Sequence, residues 1–231
     1  MSLQKFLKFR DGRDAPKPFL EHVEDLRGMV VKMALALGIC MFLGFAFRTV
    51  LSAFIQAPLL AVDPSRIDNL QSLGVADSMT ISLKLAFYSG LVISFPALLY
   101  FLASFILPAL KGKERRVVLL ASVVGFGLFL GGAAFAFFIV LPATLEFFFQ
   151  DAQAMQWRPM WTVGEYYSFT TQFVFAFGLA FELPVVVLAL VKVGLLEYRQ
   201  MQATRPYAIV VVFILAAVIT PTADIFTLLL M

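Results

Sequence analysis

The chain has 231 residues, of which 61% are hydrophobic and 14% charged, with a formal net charge of +3. Soluble domains carry about a quarter charged residues, so this composition excludes an ordinary soluble fold, and no nucleic-acid partner is expected. Residues 85–110, 117–145 and 206–223 contain no Asp, Glu, Lys or Arg, and apolar runs of about 20 residues cross the hydrocarbon layer as helices. These Leu-, Phe-, Val- and Ala-rich runs lack the short alternating strands of a membrane barrel. An all-α integral membrane protein is predicted.

In chain order, residues 1–18 hold Lys5, Lys8, Arg10, Asp11, Arg13, Asp14 and Lys17 and read as a cytoplasmic N-terminal segment. No small-residue cleavage site follows, so the first span is expected to be retained. Residues 19–231 then form a single transmembrane domain. A helix is predicted from near residue 18, after Pro16 and Pro18, with Glu21, Glu24 and Asp25 in its first two turns. The helix dipole favours acids there whatever their role. The first span fits 29–47. It contains Lys32, whose stem can lie along apolar surface, and Cys40, the one cysteine, which reads as a small buried apolar residue.

The second span fits 79–102, with Lys84 expected to snorkel to the outer interface. Phe105 to Leu110, followed by Lys111, Lys113, Glu114, Arg115 and Arg116, reads as a Pro-broken helix end and a basic turn. The third span fits 117–141 and the fourth 166–191. The loops 48–78 and 142–165 are the long ones, and the latter holds Trp157 and Trp161 as candidate anchors of interfacial helices. A short fifth span fits 207–220, bounded by Arg205-Pro206 and Thr220-Pro221. A sixth opens near residue 225, capped by Asp224, and stops at Met231, so the sixth helix is expected to be truncated. No internal repeat is evident.

Orientation follows from the basic residues. Lys5, Lys8, Arg10, Arg13, Lys17, Arg27, Lys111, Lys113, Arg115, Arg116, Lys192, Arg199 and Arg205 fall on one side of these spans, against Arg48, Arg66 and Arg158 on the other. The positive-inside rule places the N-terminus in the cytoplasm.

No catalytic constellation is present: His22 and Cys40 stand alone, and there is no Gly-rich phosphate loop or metal-ligand spacing. The chain is not expected to be an enzyme, and no metal or cofactor is expected. Glu182 is the exception to an apolar fourth span, in Phe181-Glu182-Leu183-Pro184. An ionisable group at such a depth points to function by default, and Pro184 removes a backbone hydrogen bond beside it. The structural alternative is a neutral Glu bonded to a neighbouring helix.

These motifs, taken in order, resemble the TatC family, the multispanning receptor subunit of the twin-arginine protein translocase. The matching features are His22 with Leu26-Arg27, Phe105 to Leu110 with Glu114-Arg115-Arg116, Phe181-Glu182-Leu183-Pro184, Arg205-Pro206-Tyr207, and Thr220-Pro221 with Asp224. The resemblance covers about residue 18 to the end. It implies a concave six-helix bundle with short fifth and sixth helices, both termini in the cytoplasm, and residence in the bacterial inner membrane or an organellar counterpart. It also implies a function: receptor for the paired-arginine signal peptides of folded cargo proteins, moved with single-span TatA/TatB-type subunits in a multimeric complex driven by the proton-motive force.

By the same resemblance, Asp25 and Glu114 would hold the arginine pair, with Glu24 as a substitute and Arg27 and Phe105 beside them. Two guanidinium groups need carboxylates held apart on a fixed surface for bidentate pairing. Glu182 would be an intramembrane polar contact for the signal peptide or a partner helix. The chain departs from the family pattern at Asp25, where a Glu is usual, and at Met29, where a basic residue is common. Two other readings compete: a small secondary transporter or permease subunit using Glu182 as a proton or ion site, and a structural anchor, in which changing Asp25, Glu114 or Glu182 has no consequence.

Overall fold

The computed structural model describes residues 19–62, 70–106, 112–157 and 159–192, without the side chains of 19–22, 61–62, 106 and 112–115. The expected fifth and sixth spans, with Arg205, Pro206, Thr220, Pro221 and Asp224, lie outside the described residues. Within them the fold is helical: α1 (Phe19–Ala46), α2 (Arg48–Val62), α3 (Asp77–Ile106), α4 (Gly112–Phe135), a π-helical turn (Ala136–Val140), α5 (Leu141–Ala154), α6 (Val163–Ala180) and α7 (Leu183–Lys192).

Among the described residues, four stretches are long and apolar enough to cross a membrane: Val23–Ala46, Asp77–Phe105, Arg116–Ala154 and Val163–Lys192. The first is barely covered by the rest of the chain, and Val31, Leu35, Ile39 and Phe42 on it are more than half exposed. Water would penalise that surface, whereas hydrocarbon does not. The apolar exterior is therefore that of a lipid-embedded bundle.

Lipid supplies no hydrophobic force between helices, so small residues must let their backbones approach. A methyl placed at Gly44 of α1 would collide with Ser89 Oγ of α3, and one at Gly90 would lie 2.8 Å from Met41 Cγ. These reciprocal contacts set α1 antiparallel to α3, and the two helices share an extensive interface.

The third crossing does not end near residue 141, as the sequence predicts, but runs on to Ala154 through the π turn. Pro142 explains the turn, since it offers no N–H to Phe138 and its ring would press on that carbonyl in a regular helix. The extra residue per turn relieves the clash and keeps the chain helical. Much of the expected loop 142–165 is therefore helix, while α2 occupies the start of the expected loop 48–78. A backbone pairing closes what is left: Gln71 N–H donates to the Trp161 carbonyl at 3.2 Å, and Val163 N–H to the Gln71 carbonyl at 2.9 Å.

The core lies in the outer half of the bundle, where Leu59, Ile81, Leu85, Phe137, Leu141, Leu145, Tyr166, Tyr167, Phe173 and Phe177 are buried together. Polar tips of the tyrosines are satisfied by α2: Tyr166 donates to the Ile55 carbonyl at 2.7 Å, and Tyr167 meets Ser52 at 2.5 Å and the Gln56 amide at 2.7 Å. A capping box starts α6, with Thr162 Oγ1 accepting from Glu165 N–H at 3.1 Å while Glu165 Oε2 accepts from Thr162 N–H at 3.3 Å and from its hydroxyl at 2.8 Å.

Candidate functional site

Two regions bring together the residues singled out in the sequence. The first is the cytoplasmic end of α1 and α3. Gly44 lies against Ala86 and Ser89, and Met41 against Gly90. Carried along two helices of equal rise, this antiparallel register brings Glu24 and Asp25 level with Phe105 and the end of α3. Glu24, Asp25 and Arg27 are exposed on α1, and Phe105 is half-buried. Glu114 falls in the first turn of α4, and its side chain, with that of His22, lies outside the described residues. The acid-bearing start of α1, the end of α3 and the start of α4 thus share one end of the bundle.

The second region is the fourth crossing. The sequence predicts one span over 166–191, but the helix breaks at Phe181-Glu182 into α6 and α7. Pro184 accounts for the break, because it cannot donate to the Ala180 carbonyl one turn back. Glu182 is 9% exposed, and its Oε1 has no hydrogen-bond partner among the described residues. Its backbone is tied on both sides, Glu182 N–H to the Leu179 carbonyl and Val186 N–H to the Glu182 carbonyl, each at 3.0 Å.

What lies beneath the carboxylate is glycine. A methyl at Gly125 of α4 would sit 2.6 Å from Glu182 Oε2, and one at Gly132 would sit 2.6 Å from the Phe181 ring. Phe129 between them is fully buried and stacks on Phe95 of α3, with ring centroids 3.8 Å apart. Positions 125, 129 and 132 share one helical face, so a single stripe of α4 seats the break and fixes where the carboxylate stands. An orphaned buried carboxylate oxygen is costly unless a donor reaches it. The arrangement can accept a hydrogen bond within the membrane; among the described residues no group of three or more His, Cys, Asp or Glu side chains could hold a metal ion.

Sequence reading passed over Gly125 and Gly132, although small residues at helical spacing in an apolar run are a packing signal. It also passed over Thr162-Val163-Gly164-Glu165, a capping-box pattern in plain view. Sequence reading also missed the partner of Lys84, whose ammonium donates to Ser168 Oγ on α6 at 2.7 Å.

Fold and site define a polytopic helical membrane protein with a nearly buried carboxylate in its fourth apolar stretch. Comparison with known proteins narrows the class. Residues 21–231 match the family described as Sec-independent protein translocase protein (TatC). A TatC of Carboxydothermus hydrogenoformans is 34% identical over 94% of this chain and 88% of its own length. A TatC of Akkermansia muciniphila is 51% identical over 67% of this chain, and the match spans 44% of that relative's length. The chloroplastic protein of Arabidopsis thaliana is 34% identical over 91% of this chain and 61% of its own length. A solved structure of the twin arginine translocase receptor TatC superposes with a TM-score of 0.80 at 33% identity, covering 91% of each chain.

The chain belongs to the TatC family. It is a multi-pass integral membrane protein and a transport component rather than an enzyme, with relatives in both bacteria and chloroplasts.

Proposed function

We propose that this chain is the signal-peptide receptor and core subunit of a twin-arginine translocase, binding paired-arginine signal peptides on the cytoplasmic side so that folded cargo can cross. The observation that carries the reading is the register of α1 against α3, which brings Glu24 and Asp25 level with Phe105 next to the helix that opens with Glu114. Asp25 and Glu114 each take one guanidinium in bidentate fashion, with Glu24 close enough along the helix to share the load. Arg27 keeps the acidic turn from repelling itself, and Phe105 packs against the apolar part of the peptide.

Arginine is required because its planar fork matches a carboxylate through two parallel hydrogen bonds, whereas a lysine ammonium is a point charge without that geometry. Farther along the peptide, the orphaned oxygen of Glu182 accepts from a polar group of the signal peptide or of a single-span TatA/TatB-type partner. Such partners assemble with the chain into a multimeric complex through which the cargo crosses. The test is capture of a paired-arginine signal peptide and of its paired-lysine variant by the full chain in detergent. Capture should fall about tenfold with lysine, the factor carried by one charge-assisted hydrogen bond, and Glu114→Gln should erase the difference. Equal capture of both peptides by the parent chain would overturn the proposal.

A further inference from the structure

At the outer end of the bundle, away from both regions described above, α3, α5 and α6 enclose a cleft of about 690 Å³. Its polar lining includes Asp77, Lys84, Glu165 and Ser168, and its walls include Phe148 and Phe169. Lys84 stands about two turns, or roughly 10 Å, into α3 from Asp77. Its ammonium donates one hydrogen bond, to Ser168 Oγ at 2.7 Å, and the Ser168 proton is already given to the Gly164 carbonyl at 2.6 Å. An ammonium has three protons to donate. The other two meet no acceptor among the described residues, and at this depth a cation calls for an anionic partner.

Asp77 and Glu165 stand at the mouth, on the first turns of α3 and α6, Asp77 partly exposed and Glu165 exposed. Each is anchored through a single oxygen. Asp77 Oδ2 accepts from Gly74 N–H at 2.7 Å and from the Ser72 hydroxyl at 3.2 Å. Glu165 Oε2 accepts from the Thr162 hydroxyl at 2.8 Å. A second oxygen on each is thereby left to a ligand. From the mouth inward the cleft presents negative charge and then positive charge, with Phe148 and Phe169 as an aromatic wall beside the cation. A zwitterionic phospholipid in the outer leaflet presents the complementary order: amine outermost, phosphate below it, and acyl chains deeper still. An anionic headgroup without an amine would meet the two carboxylates unfavourably, and a bare inorganic anion would leave the apolar wall uncovered.

We propose that this cleft is a binding site for a phosphoethanolamine-type lipid, with the phosphate on Lys84 and Ser168 and the amine between Asp77 and Glu165. It does not depend on the signal-peptide reading. The test is native mass spectrometry of the full chain titrated with phosphatidylethanolamine or with phosphatidylglycerol of the same acyl chains. The parent chain should retain the ethanolamine lipid about tenfold better, the factor that corresponds to one charge-assisted hydrogen bond. Lys84→Met should lose retention of both lipids while Lys84→Arg keeps it, and Asp77→Asn combined with Glu165→Gln should abolish the preference. Equal retention of the two lipids by the parent chain, a comparison that needs no variant to fold, would overturn the proposal. So would undiminished retention by Lys84→Met.

Discussion

Glu182 shows how much a single position can ask of its surroundings. Its carboxylate is nearly buried, at 9% exposure, and one oxygen lacks a described partner. The backbone there is held by two 3.0 Å hydrogen bonds, so the side chain cannot swing away with a loose loop. Gly125 is the complementary residue, since any Cβ at that position would come within 2.6 Å of Glu182 Oε2. Under the proposed function, Glu182→Ala removes the acceptor without touching the cytoplasmic carboxylates. Signal-peptide capture should therefore stay within about twofold of the parent, an allowance for the general effect of a distant substitution, while transport into membrane vesicles falls. Gly125→Val, which displaces the carboxylate and leaves it present, should give the same separation in milder form. Unimpaired transport by Glu182→Ala would count against an intramembrane contact at this position.

At the scale of elements, prolines and caps decide where helices bend and begin. Pro142 and Pro184 each remove a backbone donor inside an apolar run, and the chain answers differently. A π turn over Ala136–Val140 absorbs the first, and a break at Phe181-Glu182 absorbs the second. The difference lies in the neighbours: at the second site the chain closes against Gly132 of α4, where a methyl would also meet the Phe177 carbonyl at 2.9 Å, so the break can be buried. The start of α6 rests on the reciprocal Thr162 and Glu165 bonds. Thr162→Ala should cost about 1 kcal/mol, read as a lowered thermal midpoint of the purified chain. Glu165→Gln keeps an acceptor for the Thr162 hydroxyl and should lose less. Equal midpoints for parent and Thr162→Ala would mean that the cap contributes nothing to the folded state.

Taken whole, the molecule has a thinly covered first helix, a core displaced toward the outer end, and charge concentrated at the other. Four crossings by the described helices, with basic residues clustered before the first and between the second and third, put the ends of α1 and α4 on the same side. A cysteine-accessibility experiment in a Cys40→Ala background tests this. A membrane-impermeant maleimide added to intact cells or right-side-out vesicles should label Gln153→Cys, on the exposed end of α5, and spare Gln4→Cys until the membrane is opened. Labelling in the reverse order would invert the orientation and remove Asp25 and Glu114 from the cytoplasmic side, taking the receptor proposal with it.

The sequence by itself determined that the chain is an α-helical membrane protein, because uncharged runs of that length leave no other stable structure in lipid. It also singled out Glu182 by its cost and the TatC family by its ordered motifs. Tertiary structure alone decided the rest. Periodicity cannot show that Pro142 is met by a π turn and Pro184 by a break, since the outcome depends on what the neighbouring helix offers. Nor can spacing pair Gly125 with Glu182 or Lys84 with Ser168, partners far apart along the chain that meet only after the helices pack. The placement of Glu24 and Asp25 level with Phe105 was of the same kind. The residues themselves were legible one by one, and the small residues of α1 and α3 set the register that brings them to one level.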